Sequence, residues 1–158
     1  MRLVLKRDLL FFFLGMGICR YFGNKTNQEK NCRNEVNTTY VEILDQWMSL
    51  KNKNVSISRL LKEENCKKIA IYGLGMIGNH LYEELIDTEI DIVGIDQTEI
   101  YNNFKMSIYK PDEFPKDIDL IIVTPLKYET IYLKLRENYD GRIMSLQQIL
   151  SMCENYLY

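Results

Sequence analysis

The chain has 158 residues, with 20 lysines and arginines against 22 aspartates and glutamates and one histidine, for a net charge of −2. That length holds one domain of ordinary size plus an extension, and the charge makes no electrostatic case for nucleic acid. The four cysteines, Cys19, Cys32, Cys66 and Cys153, contain no C-x-x-C pair, so beside a single histidine they read as isolated reduced thiols of a cytosolic protein and not as a zinc site.

Residues 1–23 differ from the rest. Arg2, Lys6 and Arg7 precede an apolar run from Leu9 to Cys19, and Arg20, Tyr21 and Phe22 follow it. Eleven such residues make a helix of roughly 16 Å, short of the ~30 Å hydrocarbon core. A snorkelling Arg20 and interfacial Tyr21 and Phe22 extend that reach. The run at 9–19 is therefore expected to be a short membrane anchor. A signal peptide is the rival reading, although no small-x-small cleavage site follows. A helix buried against the domain or a partner is the third.

Residues 24–39 are rich in Asn, Lys and Glu and read as a polar linker or a charged helical spacer. A helical extension over 40–66 comes next. Tyr40, Ile43, Leu44, Trp47 and Met48 mark one helical face, on which core packing is expected for Trp47. A second short helix is predicted from Ser56, as its cap, to Glu64.

From residue 67 to the end the pattern is that of a Rossmann-like parallel sheet with flanking helices. Lys68-Ile69-Ala70-Ile71-Tyr72 is a short apolar strand that runs straight into Gly73-Leu74-Gly75-Met76-Ile77-Gly78, a turn of the form G-x-G-x-x-G. Such a turn is the fingerprint of a dinucleotide-binding strand–helix unit. Gly73 is expected to allow the bend, Gly75 to let backbone approach a pyrophosphate, and Gly78 to let helix and strand pack closely. The helix that follows, with Ile77, Leu81 and Leu85 inward and Glu83, Glu84 and Asp87 at polar positions, points its N-terminal N–H groups at the phosphates. A second strand is predicted from Ile90 to Asp96. Asp96 lies 18 residues after Gly78, near the spacing of the carboxylate that binds ribose hydroxyls, and an acid there favours NAD over NADP.

Farther on, Met106–Tyr109 reads as a short strand, Asp119–Pro125 as a buried one, and Arg142–Met144 as the last. A helix carrying Ile131 and Leu135 separates the last two, and Ser145 is placed to cap a final helix reaching Leu150 or beyond. The expected architecture is thus α/β, with about five parallel strands in order 3-2-1-4-5. Thr124, at the carboxyl end of the fourth strand and beside the first loop, is a candidate ligand contact or else a plain strand-ending turn residue.

No catalytic constellation is visible. His80, two residues past Gly78, reads as a surface or packing residue. Tyr101 and Lys105 have the Y-x-x-x-K spacing of short-chain dehydrogenases, but they fall in an Asn-containing loop and not on a helix. Asp112, Glu113 and Asp117 read as a solvated loop around two prolines, with no metal-ligand set.

From Tyr40 to Leu150 the chain resembles bacterial Rossmann-like nucleotide-binding domains linked to surface-polysaccharide synthesis, similar to those found beside sugar-nucleotide epimerases and dehydratases. Lys68 through Gly78, Leu81-Tyr82-Glu83-Glu84-Leu85, Ile95-Asp96, Asp119 through Thr124, and Ser145-Leu146 before Ile149-Leu150 carry the resemblance. It implies the fold, a bound nucleotide or sugar nucleotide, and a protein partner in a glycan-synthesis complex. NAD and sugar nucleotides are cytoplasmic, so an anchored working domain is expected to face the cytoplasm, at the inner face of the cell membrane. It implies no reaction, because the catalytic tyrosine and lysine of the epimerases have no match. The function expected is an accessory module binding NAD or a sugar nucleotide. A partner-dependent sugar-nucleotide enzyme subunit and a regulatory NAD sensor are the alternatives.

Overall fold

The computed structural model describes residues 34–98 and 104–155. The expected anchor at 9–19 and Tyr101 lie outside the described residues. Among the described residues no helix is long and apolar enough to cross a membrane. The chain divides into two compact units, 1–44 and 45–158. Of the first, residues 34–44 are helical, and the Thr38 and Thr39 hydroxyls donate back to the carbonyls of Asn34 and Glu35 at 2.9 and 3.0 Å.

Helix α1 covers residues 34–52, and its residues from 45 onward belong to the second unit. There Trp47 and Leu50 are buried, one helical turn apart, whereas Met48 is 58% exposed. The apolar face expected to include Met48 is thus narrower and runs on to Leu50. Helices α1 and α2 (Ile57–Glu63) end in the same way. Asn54 and Asn65 take left-handed φ of 58° and 55°, and the N–H groups of Val55 and Cys66 reach back to the carbonyls of Leu50 and Leu61 at 3.0 and 2.9 Å. Asparagine tolerates this conformation better than other non-glycine residues, so it stands where glycine is commonest. Ser56 caps α2 as predicted, its hydroxyl accepting from the Arg59 N–H.

Strands β1 (Lys68–Tyr72), β2 (Asp91–Ile95), β3 (Ile108–Tyr109), β4 (Leu120–Val123) and β5 (Arg142–Ser145) form one all-parallel sheet in order β3-β2-β1-β4-β5. This is the order expected from the sequence. Helices α3 (Met76–Leu85), α4 (Tyr128–Arg136) and α5 (Leu146–Asn155) complete the unit. α2 packs against α3 and α5. The sheet face carrying Ala70, Tyr72, Val93, Ile95, Ile121, Val123 and Ile143 is covered by Phe114, Ile118, Tyr139 and Leu135 of α4. The central strands are buried on both faces, which is why β1 and β4 read as unbroken apolar runs.

The amino edge of the sheet is pinned by Asp119. Its Oδ2 accepts the N–H groups of Lys67 and Lys68 at 2.7 and 2.8 Å, setting β4 against β1. The carboxyl edge therefore presents the ends of β2, β1, β4 and β5 side by side, with Tyr72 level with Val123 and Val123 level with Ser145.

Candidate functional site

The turn from β1 into α3 occupies the middle of the carboxyl edge, and its three glycines are held there for different reasons. Gly73 has φ of +87°, a conformation L side chains rarely adopt, and a Cβ on it would meet the Pro125 ring at 2.7 Å. A Cβ on Gly78 would fall on the carbonyl oxygen of Gly73. Both glycines are therefore required by packing alone. Gly75 is not: a Cβ there would find nothing within 4 Å, and its φ of −70° suits any residue. Nothing in the fold demands glycine at the position where backbone would face a ligand.

Asp96, just past β2, is joined to this turn. Its Oδ2 accepts the Leu74 N–H at 2.7 Å, and Oδ1 accepts the Thr98 N–H at 2.8 Å. Each oxygen keeps a further lone pair. The carboxylate thus fixes the turn from one side, and Thr124 fixes it from the other. The Thr124 hydroxyl is buried and donates to the Gly73 carbonyl at 2.7 Å, with the Tyr72 carbonyl also at 3.2 Å. Its proton is committed to the turn, and its oxygen keeps an acceptor lone pair.

Of the other expected contacts, Leu74 and Ile77 have buried side chains, and the Leu74 N–H is already taken by Asp96. Met76 is 59% exposed at the start of α3. Helices α3, at Gly75, and α4, at Lys127, begin with no side-chain cap, whereas Ser56 caps α2 and Ser145 caps α5. At α5 the Gln148 side chain also accepts from the Ser145 N–H at 2.8 Å, which completes a capping box around the expected cap Ser145. An uncapped helix start carries orphan N–H groups and the positive dipole end, which favours an anion.

Beside the turn lies a cavity of about 570 Å³, bordered by Gly75, Met76, Asn79, Tyr82, Glu83 and Phe104. Neither Tyr82 nor Phe104 is among the contacts expected from the sequence. Their rings meet edge to face at 5.0 Å, and the Tyr82 hydroxyl accepts the Lys105 N–H at 2.9 Å. That contact holds the chain after β2 over α3. No single-residue signal announces it, because it joins positions that the sheet brings together.

The polar groups nearby are poor acid–base candidates. His80 is exposed, with Nδ1 3.3 Å from the Glu83 carboxylate. Burial pushes the Tyr72 phenol above its ordinary range, and the neighbouring Asp96 adds to this against the hydrogen bond from Gln97. Asp112 and Glu113 are exposed, and Asp117 pairs with the Lys68 ammonium at 2.9 Å. Among the described residues no cluster of His, Cys, Asp and Glu could hold a metal ion.

The site and fold together define an α/β unit with a five-stranded all-parallel sheet and a G-x-G-x-x-G turn at its carboxyl edge. No family model matches the chain, and no curated protein or solved structure matches it either.

Proposed function

We propose that the chain is a nucleotide-binding module, with NAD or a sugar nucleotide held on the Gly73–Gly78 turn and the N-terminus of α3. The observation that carries this reading is Gly75. The fold accounts for Gly73 and Gly78 but leaves Gly75 without a structural need. A glycine kept in open space at an uncapped helix start is what close approach of a diphosphate to backbone requires. The Asp96 carboxylate keeps lone pairs that can accept from ribose hydroxyls, and its charge disfavours a 2′-phosphate. Within this reading, the resemblance to polysaccharide-linked nucleotide-binding domains supports a binding subunit that works with a protein partner beside the enzymes of surface-glycan synthesis, at the inner face of the cell membrane.

The test is calorimetric titration of the full-length chain with NAD, NADP and UDP-sugars. Binding of NAD or a sugar nucleotide that is lost in Gly75→Val, with the chain still folded and its thermal midpoint lowered only by the poorer helix cap, is the expected result. A folded chain that binds none of them would leave the turn a purely structural device.

A further inference from the structure

A second cavity flanks the carboxyl edge on the side away from Asp96. It is a groove of about 650 Å³ running from the ends of β4 and β5 along α5. The groove is open to solvent along its length. By the sheet register, Ser145 at its head is two strands from Tyr72, the residue before the glycine turn. Two strand spacings amount to about 10 Å. A ligand with its nucleoside beside Asp96 and its diphosphate at Gly75 would therefore extend its other half toward this groove.

The lining says what that half should be. Gln147, Ser151 and Asn155 line one wall and are exposed, each offering a neutral amide or hydroxyl, and Gln148, its oxygen held by the Ser145 N–H, adds an NH2 donor. Glu129, in the first turn of α4, supplies a carboxylate acceptor. Tyr128 adds an aromatic surface, its hydroxyl already donating to the Ile143 carbonyl at 3.1 Å. No lysine or arginine is among the described residues that line it. Phosphate or carboxylate groups would meet no countercharge there and would face Glu129. A ring bearing several hydroxyls matches neutral donors, acceptors and an apolar wall together. The α5 N-terminus, satisfied by its own capping box, offers no competing anion site.

We propose that this groove seats the sugar ring of a sugar nucleotide, an inference that rests on the nucleotide reading above. The full-length chain is titrated with UDP-, GDP- and dTDP-hexoses, each against its parent nucleoside diphosphate, and with NAD. One hexose nucleotide is expected to bind about tenfold tighter than its parent, the worth of one or two net hydrogen bonds. Ser151→Trp, which fills the groove from an exposed helix position, should abolish that increment and leave the parent diphosphate's affinity unchanged. Glu129→Gln should reduce the increment without altering the thermal midpoint. Equal affinity for every hexose nucleotide and its parent, or NAD as the sole ligand, would overturn the sugar groove and leave the nucleotide reading standing. So would an increment that Ser151→Trp does not touch. Failure of all these ligands to bind would remove both.

Discussion

The indole N–H of Trp47 donates to the Glu84 carboxylate across 2.8 Å, while the other oxygen of the same carboxylate accepts the Ile57 N–H, also at 2.8 Å. Lys51 pairs with it at 3.0 Å, and the Glu84 side chain is only 5% exposed. One acid on α3 thus joins α1 and the first residue of α2 to the helix whose other end begins at the glycine turn. Glu84→Gln presents one acceptor oxygen where two fixed donors need one each. Its expected cost is about 1–3 kcal/mol, the range for a buried donor left unsatisfied. Urea unfolding followed by the emission of Trp47, the single tryptophan, measures it directly. A midpoint equal to wild type would mean that the three helices are held by apolar packing alone.

The glycines should separate by phenotype. Gly78→Ala forces a Cβ onto the Gly73 carbonyl oxygen and should cost about 3 kcal/mol or more, with or without ligand. Gly75→Ser places its Cβ in open space and adds a favoured N-cap residue, so stability should hold or rise slightly. Thermal melts of the two variants, run side by side, give the comparison. Equal destabilisation would show that the turn tolerates nothing at either position and that Gly75 carries no information about a ligand.

Acid should loosen the amino edge of the sheet. Hydrogen bonds from the backbone of Lys68 and Lys67 hold the Asp119 carboxyl below the usual range, and the Lys68 ammonium does the same for Asp117. A carboxylate whose pKa is lowered by folding contributes fully above its unfolded value, near 3.9, and loses that contribution as pH falls through the lower folded value. Stability should therefore decline below about pH 4. Asp119→Asn should be less stable at neutral pH and show a shallower decline, read from urea midpoints between pH 7 and pH 2. Parallel curves for the two proteins would assign the acid sensitivity to other carboxylates.

Cys153 and Cys66 should be chemically quiet. Burial, reinforced by the charge of Glu84, pushes the Cys153 thiol up to about 11. Burial is also the largest cause raising Cys66, against the lowering effect of Arg142. The thiolate is the reactive form, and neither residue supplies it at neutral pH. Alkylation of the native chain by iodoacetamide at pH 7.5, mapped by peptide mass spectrometry, should spare both until denaturant is added. Rapid labelling of Cys153 in the native state would show that α5 opens readily.

Much of the sheet was readable because a parallel strand buried on both faces leaves an unbroken apolar run. Ile69 to Tyr72 and Leu120 to Val123 have that form, and the G-x-G-x-x-G turn fixed which strand came first. Glu84 was misjudged for a physical reason: helical periodicity assigns charged residues to the solvent side, and here the solvent side is covered by α1 and α2. The clue was Trp47, whose indole N–H needs an acceptor once buried. Met48 was expected inward because a five-residue pattern does not resolve neighbouring helical angles, and Leu50 settled the direction. Sequence also placed Thr124 at the right strand end but carried nothing about its hydroxyl, whose partner is a carbonyl exposed by the left-handed turn at Gly73.

Asp96 is the residue on which fold and proposed ligand meet. Its Oδ2 holds the Leu74 N–H, so the turn is set before any ligand arrives, and preorganisation of this kind lowers the ordering cost of binding. Asp96→Asn can retain that bond through its amide oxygen, but it replaces the second carboxylate oxygen with a donor that faces the Thr98 N–H and cannot accept from a ribose hydroxyl. Stability should drop by about 1 kcal/mol, and affinity for a nucleotide by about tenfold, because hydrogen bonds to charged acceptors are worth about 1.5–3 kcal/mol. Discrimination against NADP should narrow at the same time, since the variant no longer repels a 2′-phosphate. Thermal melts and titrations with NAD and NADP separate these effects. A variant that loses stability while keeping both affinity and discrimination would make Asp96 a fastening of the turn and no part of the ligand site.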